Sequence, residues 1–190
     1  HAHQHMGAGY GNNGAPTARK IGFTPVATSS GDAIVVPEGY SAQILAPWGD
    51  ALFADSPRWK PDGTNTGADQ ARQIGDNHDG MHFFPIHGKS SQEGLLVMNH
   101  EYINPSLHPS GKIDQSKPRP LNEVRKEQAA HGVSVIEVRK GADGQWQRVM
   151  DSTYNRRISM LTPMRLAGPL AAHALMQTAS DPRGLEVLGT

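Results

Sequence analysis

The sequence predicts a mainly β protein built from antiparallel hairpins, with short helices in the insertions between them. Three observations carry this reading. Glycine (21) and proline (14) are plentiful across the 190 residues and are spread as turn punctuation. Between these turns recur short apolar runs of strand rather than helix length. Two pairs of such runs flank compact polar turns, the local mark of a hairpin.

Taken in order, residues 1–20 are rich in Gly, Asn, Ala and His, and read as a flexible N-terminal arm. The alternating His1, His3 and His5 read as a processing or expression remnant rather than a metal site. Residues 21–190 form the domain. Strands are expected at Ala33–Val36 and Tyr40–Ala46, reversing at Pro37-Glu38-Gly39, where proline followed by glycine suits a type II turn. Residues 47–77 have little periodicity and form a long excursion of the kind that usually carries function. His82–Ile86 and Leu95–Asn99 then flank the turn region His87–Gly94, while Val133–Val138 and Trp146–Asp151 flank Gly141–Gly144. The insertion between these hairpins ends in a helix, Asn122–Ala130, with Asn122 as N-cap. A helical run Leu170–Thr178, a turn at Asp181–Gly184 and a strand Leu185–Leu188 complete the chain, which reads as truncated inside that strand. Two successive hairpins make a four-stranded meander, the unit of a propeller blade, but a sandwich or barrel uses the same parts.

Composition narrows the function. Eighteen basic residues balance eighteen acidic ones, so no basic field exists for a nucleic-acid partner. Mean hydropathy is −0.53 and no apolar stretch is long enough for a transmembrane segment. Cysteine is absent, which excludes disulfides and thiolate metal ligands within these residues. No signal-peptide pattern opens the chain.

Chemistry concentrates in two places. Asp76-Asn77-His78-Asp79-Gly80-Met81-His82 puts oxygen and nitrogen ligands at the entrance of a strand, which suits a metal or phosphate site. A turn in which Asp and Asn bond their own backbone explains the same residues equally well. Asn99-His100-Glu101-Tyr102 ends the strand Leu95–Met98, where an amide and a carboxylate on a rigid element suit a hard cation. A polar strand terminus is the competing reading. Arg156-Arg157 could clamp a phosphate through paired N–H groups, or be an exposed basic pair. His131 and His173 read as structural histidines satisfied by backbone carbonyls. Gly88-Lys89-Ser90 lacks the spaced glycine of a P-loop and reads as a hairpin loop. No Gly-x-Ser-x-Gly elbow frames Ser134, Ser152 or Thr153.

Several uncommon strings occur together in order: Ile21–Val26, Asn77–Pro85, Leu96–Tyr102, Ala129–Val135, Tyr154–Ile158 and Asp181–Gly184. In these strings the sequence resembles PhoX-type alkaline phosphatases from about Ile21 to Thr190. The resemblance implies the N-terminal part of a β-propeller of antiparallel meander blades. It also implies a hydrolase of small phosphate monoesters that depends on calcium and iron. Export to the periplasm or outside the cell, by the twin-arginine route, is implied in the same way. On this likeness Glu101, Asn99, Asp79 and His82 are expected near the metals, and Arg156 and Arg157 near the substrate phosphate. No catalytic nucleophile is assigned. The expected iron-binding cysteine is absent from these residues, so the metal centre is expected to be incomplete and to need the remainder of the propeller. The alternatives are a non-catalytic extracellular β-rich module and, third, a phosphodiesterase.

Overall fold

In the computed structural model, residues 22–89 and 91–188 are described. The predicted arm at residues 1–20 lies outside them. The chain divides into two compact units, with the boundary between Ala42 and Gln43.

In the first unit the expected turn forms: the Tyr40 amide donates to the Pro37 carbonyl at 3.0 Å, and Gly39 takes the positive φ (84°) that a type II turn requires. The strands expected on either side, Ala33–Val36 and Tyr40–Ala46, do not form. Ile34 is 75% exposed and Ile44 80% exposed. A strand gains its stability from cross-strand packing, and among the described residues neither run has a partner strand.

The second unit is organised by an antiparallel sheet of five strands. β1 (His78–Pro85), β2 (Glu93–His100) and β3 (Gly132–Lys140) form the expected meander, each longer than its predicted apolar run. The fourth position differs from expectation. Instead of one strand at Trp146–Asp151, two three-residue strands pair with β3: β4 (Trp146–Arg148) beside Val138–Lys140, and β5 (Arg156–Ile158) beside Val133–Val135. Asn155 closes the gap. Its Oδ1 accepts from the Glu137 amide at 2.9 Å, and its Nδ2 donates to the carbonyls of Val149 (2.8 Å) and Leu52 (3.3 Å). A buried side chain thus supplies the ladder bonds that an interrupted strand omits.

One face of this sheet is the core. Alternation along β2 and β3 turns Met98, Ile136 and Val138 inward, where they meet Leu52 and Ile74 from the long excursion. That excursion runs back along itself, with Ile74 N bonded to Asp50 O at 2.8 Å and Gly49 N to Ile74 O at 2.9 Å. It holds a single helical turn, α1 (Gly67–Gln70), started by a capping box between Thr66 and Asp69. Trp48 Nε1 donates to Gln70 Oε1 (2.9 Å), anchoring that turn to the excursion's other leg.

Helix α2 spans Leu121–Ala130, one residue earlier than predicted. Pro120 takes the cap position and its carbonyl accepts from Val124 N at 3.1 Å. Asn122 therefore lies inside the first turn and makes no cap. Beyond the sheet, β6 (Pro163–Arg165) and β7 (Glu186–Leu188) pair as a two-stranded ribbon. The helix expected at Leu170–Thr178 is only a 3-10 turn, Ala174–Met176, preceded by Ala172 at φ 62°. A residue in the left-handed region cannot be helical, so the run is broken before it begins. Among the described residues no helix is long and apolar enough to cross a membrane.

Candidate functional site

The two polar clusters singled out from the sequence meet at one end of the sheet. His78 pairs with His100 and Met81 with Met98, so β1 carries one residue more than β2 over this stretch. The resulting bulge sets Asp79 and Gly80 opposite Asn99, and bulges commonly re-aim side chains beside sites. Asn99 leans over Gly80: a Cβ on that glycine would lie 3.7 Å from Asn99 Nδ2. Glu101 leaves the strand next, its amide bonded to the Asn77 carbonyl at 3.1 Å. Asp79, Asn99 and Glu101 are all exposed.

The layer beneath is buried and fully bonded. His100 is 2% exposed. Its Nδ1 lies 3.1 Å from the Asp76 carbonyl and its Nε2 2.6 Å from the Ser134 hydroxyl. A carbonyl only accepts, so Nδ1 carries the proton. Burial, with the Arg157 and His78 charges adding to it, pushes the His100 pKa down to about 3. The ring is therefore neutral, and Nε2 accepts from the serine O–H. His78 meets the same ring edge-on at 4.9 Å between centroids and donates from Nε2 to the Ala46 carbonyl at 2.6 Å. Gly75 admits this packing, because a Cβ there would sit 2.4 Å from His100 Cγ.

The remaining predicted residues are dispersed. His82, Val97, Val135 and Arg156 form one cross-strand row on the face opposite the core. His82 and Arg156 thus share a face but stand three strand spacings apart, about 14 Å. The His82 ring rests against Phe84, with centroids 4.5 Å apart. Arg157 points to the other side. Its Nε donates to the Gln73 carbonyl (2.9 Å), Nη1 to that of Val133 (3.0 Å), and Nη2 to those of Ala129 and His131. Burial draws its pKa down to about 10, so it stays charged at neutral pH while holding α2 to the sheet. Every N–H of that guanidinium is committed to a carbonyl.

His131 behaves as expected, with Nδ1 donating to the Glu127 carbonyl at 2.7 Å. His173 instead accepts from the Leu175 amide at 3.1 Å, so its partner is a backbone N–H rather than a carbonyl. Sequence reasoning named His100 and Ser134 without giving either a role, and it passed over Asn104. Strand alternation was the available signal for His100, two residues beyond inward-facing Met98.

Asp79, Asn99 and Glu101 offer hard oxygen donors, which match calcium in kind. They supply only part of a coordination sphere: among the described residues no three His, Cys, Asp or Glu side chains converge. The sequence contains no cysteine, so no thiolate joins them within these residues. A groove of about 1120 Å³ runs between Gly63–Ala68 and α2, but none of these site residues lines it.

The chain superposes with a TM-score of 0.80 on a solved structure described as Pseudomonas fluorescens PhoX in complex with vanadate, a transition state analogue. The two sequences are 42% identical, over 89% of this chain and 28% of that one, so the chain spans less than a third of its structural relative. No curated protein matches the sequence. The family described as alkaline phosphatase PhoX matches residues 21–190. The chain belongs to the PhoX alkaline phosphatase family.

Proposed function

We propose that this chain contributes the opening sheet and part of the site wall of a metal-dependent hydrolase of phosphate monoesters. The observation that carries this is the 42% identity to a phosphatase whose structure holds vanadate, a transition state analogue. In this reading residues 21–190 are the N-terminal part of a β-propeller, and the β1–β4 meander with β5 is blade material. The rest of the propeller, corresponding to the greater part of the relative's length, completes the centre.

Asp79, Asn99 and Glu101 would hold calcium from the strand ends, and the ligands for iron come from outside these residues. Bound cations supply charge that polarises the phosphoryl oxygens and favours an in-line oxygen nucleophile. The chain's own part is placement. The bulge at Asp79-Gly80 and the rigid end of β2 present oxygen donors on a backbone fixed by ladder bonds. Arg156, exposed on β5, adds positive charge to the same face. Family membership supports export to the periplasm or exterior, by the twin-arginine route.

A chain of full family length is expected to hydrolyse p-nitrophenyl phosphate, to lose activity to a chelator, and to regain it with Ca²⁺ and Fe³⁺. Inactivity on every monoester would end the phosphatase reading, and preference for a diester in a parallel assay would redirect it to phosphodiesters. Stoichiometric calcium or iron in the purified protein counts against a non-catalytic module. Robust, chelator-sensitive turnover by residues 1–190 alone would refute the need for the remainder of the propeller.

A further inference from the structure

We infer that Asp76 is the positioning residue of this site, holding the two arms that carry its oxygen donors in fixed register. The inference rests on the proposed calcium role of Asp79, Asn99 and Glu101. Asp76 is 3% exposed. Its Oδ1 accepts from the Asn77 amide at 2.9 Å and from Asn104 Nδ2 at 3.1 Å, and its Oδ2 accepts from the Asn104 amide at 2.7 Å. Its backbone is engaged as well, the amide with Ala130 O and the carbonyl with His100 Nδ1.

These bonds join two chain segments. One is Asp76–Asn77, which leads directly into the Asp79-Gly80 bulge. The other is Glu101–Asn104, which leaves the end of β2. Two further bonds close the same seam: Asn77 Nδ2 to Tyr102 O at 2.9 Å, and Glu101 N to Asn77 O at 3.1 Å. Asn77 reaches both only at φ 44°, in the left-handed region that asparagine tolerates better than most residues. Asp79 and Glu101 therefore issue from opposite sides of a seam whose centre is one carboxylate.

The chemistry needs a carboxylate there. All three groups facing Asp76 are N–H donors, and an ionised carboxylate is acceptor-only on both oxygens. An asparagine of the same shape would turn its own N–H₂ toward one of those donors. Among the described residues no lysine, arginine or histidine forms an ion pair with Asp76. The buried carboxylate is held by N–H donors rather than by a cationic side chain.

The test uses a chain of full family length, with calcium binding to the metal-stripped protein followed by titration calorimetry. Asp76→Asn is expected to weaken calcium binding about ten-fold, in the range of losses when groups behind metal ligands are removed. Asn155→Ala serves as the matched control, because it removes a buried bridging amide far from the seam. It is expected to lower the unfolding midpoint at least as much and to leave calcium affinity within about two-fold. Equal losses of affinity in the two variants would reduce Asp76 to a general stability role and overturn the inference, as would wild-type affinity in Asp76→Asn. A wild-type protein that takes up no calcium would instead remove the calcium reading itself. Should Asp76→Asn fail to fold, Asn104→Ala removes one bond and keeps the carboxylate. Its expected loss is smaller, about three-fold, and unchanged affinity there would overturn the inference equally.

Discussion

The Ser134 hydroxyl donates a 2.6 Å hydrogen bond to Nε2 of His100, and both side chains are sealed in the core face of the sheet. A serine–histidine pair invites a catalytic reading, but burial and the inert neutral ring argue otherwise. The pair is a structural pin, joining β2 to β3 beneath the strand end that carries Asn99 and Glu101.

A pH dependence follows from that pin. The folded pKa of His100, about 3, lies below its ordinary 6.5, so the unfolded chain binds the proton first as pH falls. Stability is full above about pH 6.5 and declines toward pH 3, by roughly 1.4 kcal/mol per pH unit where only the unfolded form is protonated. Urea unfolding at pH 7.5, 5.5 and 4.5 would read this slope. His100→Gln, though less stable at pH 7.5, is expected to show a flatter dependence. An identical slope in the variant would assign the acid sensitivity to other groups.

Gly75→Ala tests the packing around the same ring. Its new methyl would meet His100 Cγ at 2.4 Å and the Ala130 carbonyl at 2.6 Å. Neither a buried ring nor a helix-end carbonyl moves freely, so a loss of about 2–3 kcal/mol is expected, as for other overpacked sites. Gly88→Ala is the contrast, since that loop glycine has positive φ but, among the described residues, open space around it. Its cost should be about 1 kcal/mol, from backbone strain alone.

The adjacent arginines separate structure from charge. Arg157→Met leaves the carbonyls of Gln73, Ala129, His131 and Val133 without their shared donor, and a loss of about 3 kcal/mol or more is expected in thermal or urea melts. Arg156→Met removes an exposed charge and should change stability by under about 0.5 kcal/mol. A larger KM for a monoester in Arg156→Met, at unchanged stability, would support its place near the substrate. Equal stability losses in the two variants would contradict the division.

What was legible in the sequence was the part governed by local pattern. The alternating runs of β1, β2 and β3, the Asp-Gly turn after β3 and the helix α2 are written in neighbouring residues, and they form where expected. The split of β4 from β5 is not local. It depends on Asn155 reaching back to Glu137 and across to Leu52, a residue more than 100 positions earlier. The strands expected at Ala33–Val36 and Tyr40–Ala46 failed for the complementary reason: propensity was present, and among the described residues a partner strand was not. At the site, the clusters read from the sequence put forward Asp79, His82, Asn99 and Glu101, and the bulge brings Asp79 opposite Asn99 while His82 lies further along β1. Adjacency in sequence could not separate Arg156 from Arg157, because one residue of register sends them to opposite faces of the sheet.

Glu101 offers the most direct test of the metal reading. It is exposed, lies one residue past β2, and is held by its amide to Asn77 rather than by its side chain. Among the described residues no ion pair engages its carboxylate. Glu101→Gln keeps the shape and removes the charge, so the fold should change by less than about 0.5 kcal/mol. A calcium ligand responds differently, because Ca²⁺ affinity depends on the number of charged oxygens around it. In a chain of full family length, Glu101→Gln is expected to weaken calcium binding about ten-fold or more while the metal-free melting curve stays in place. Unchanged calcium affinity would take Glu101 out of the ligand set and leave the calcium reading resting on Asp79 and Asn99.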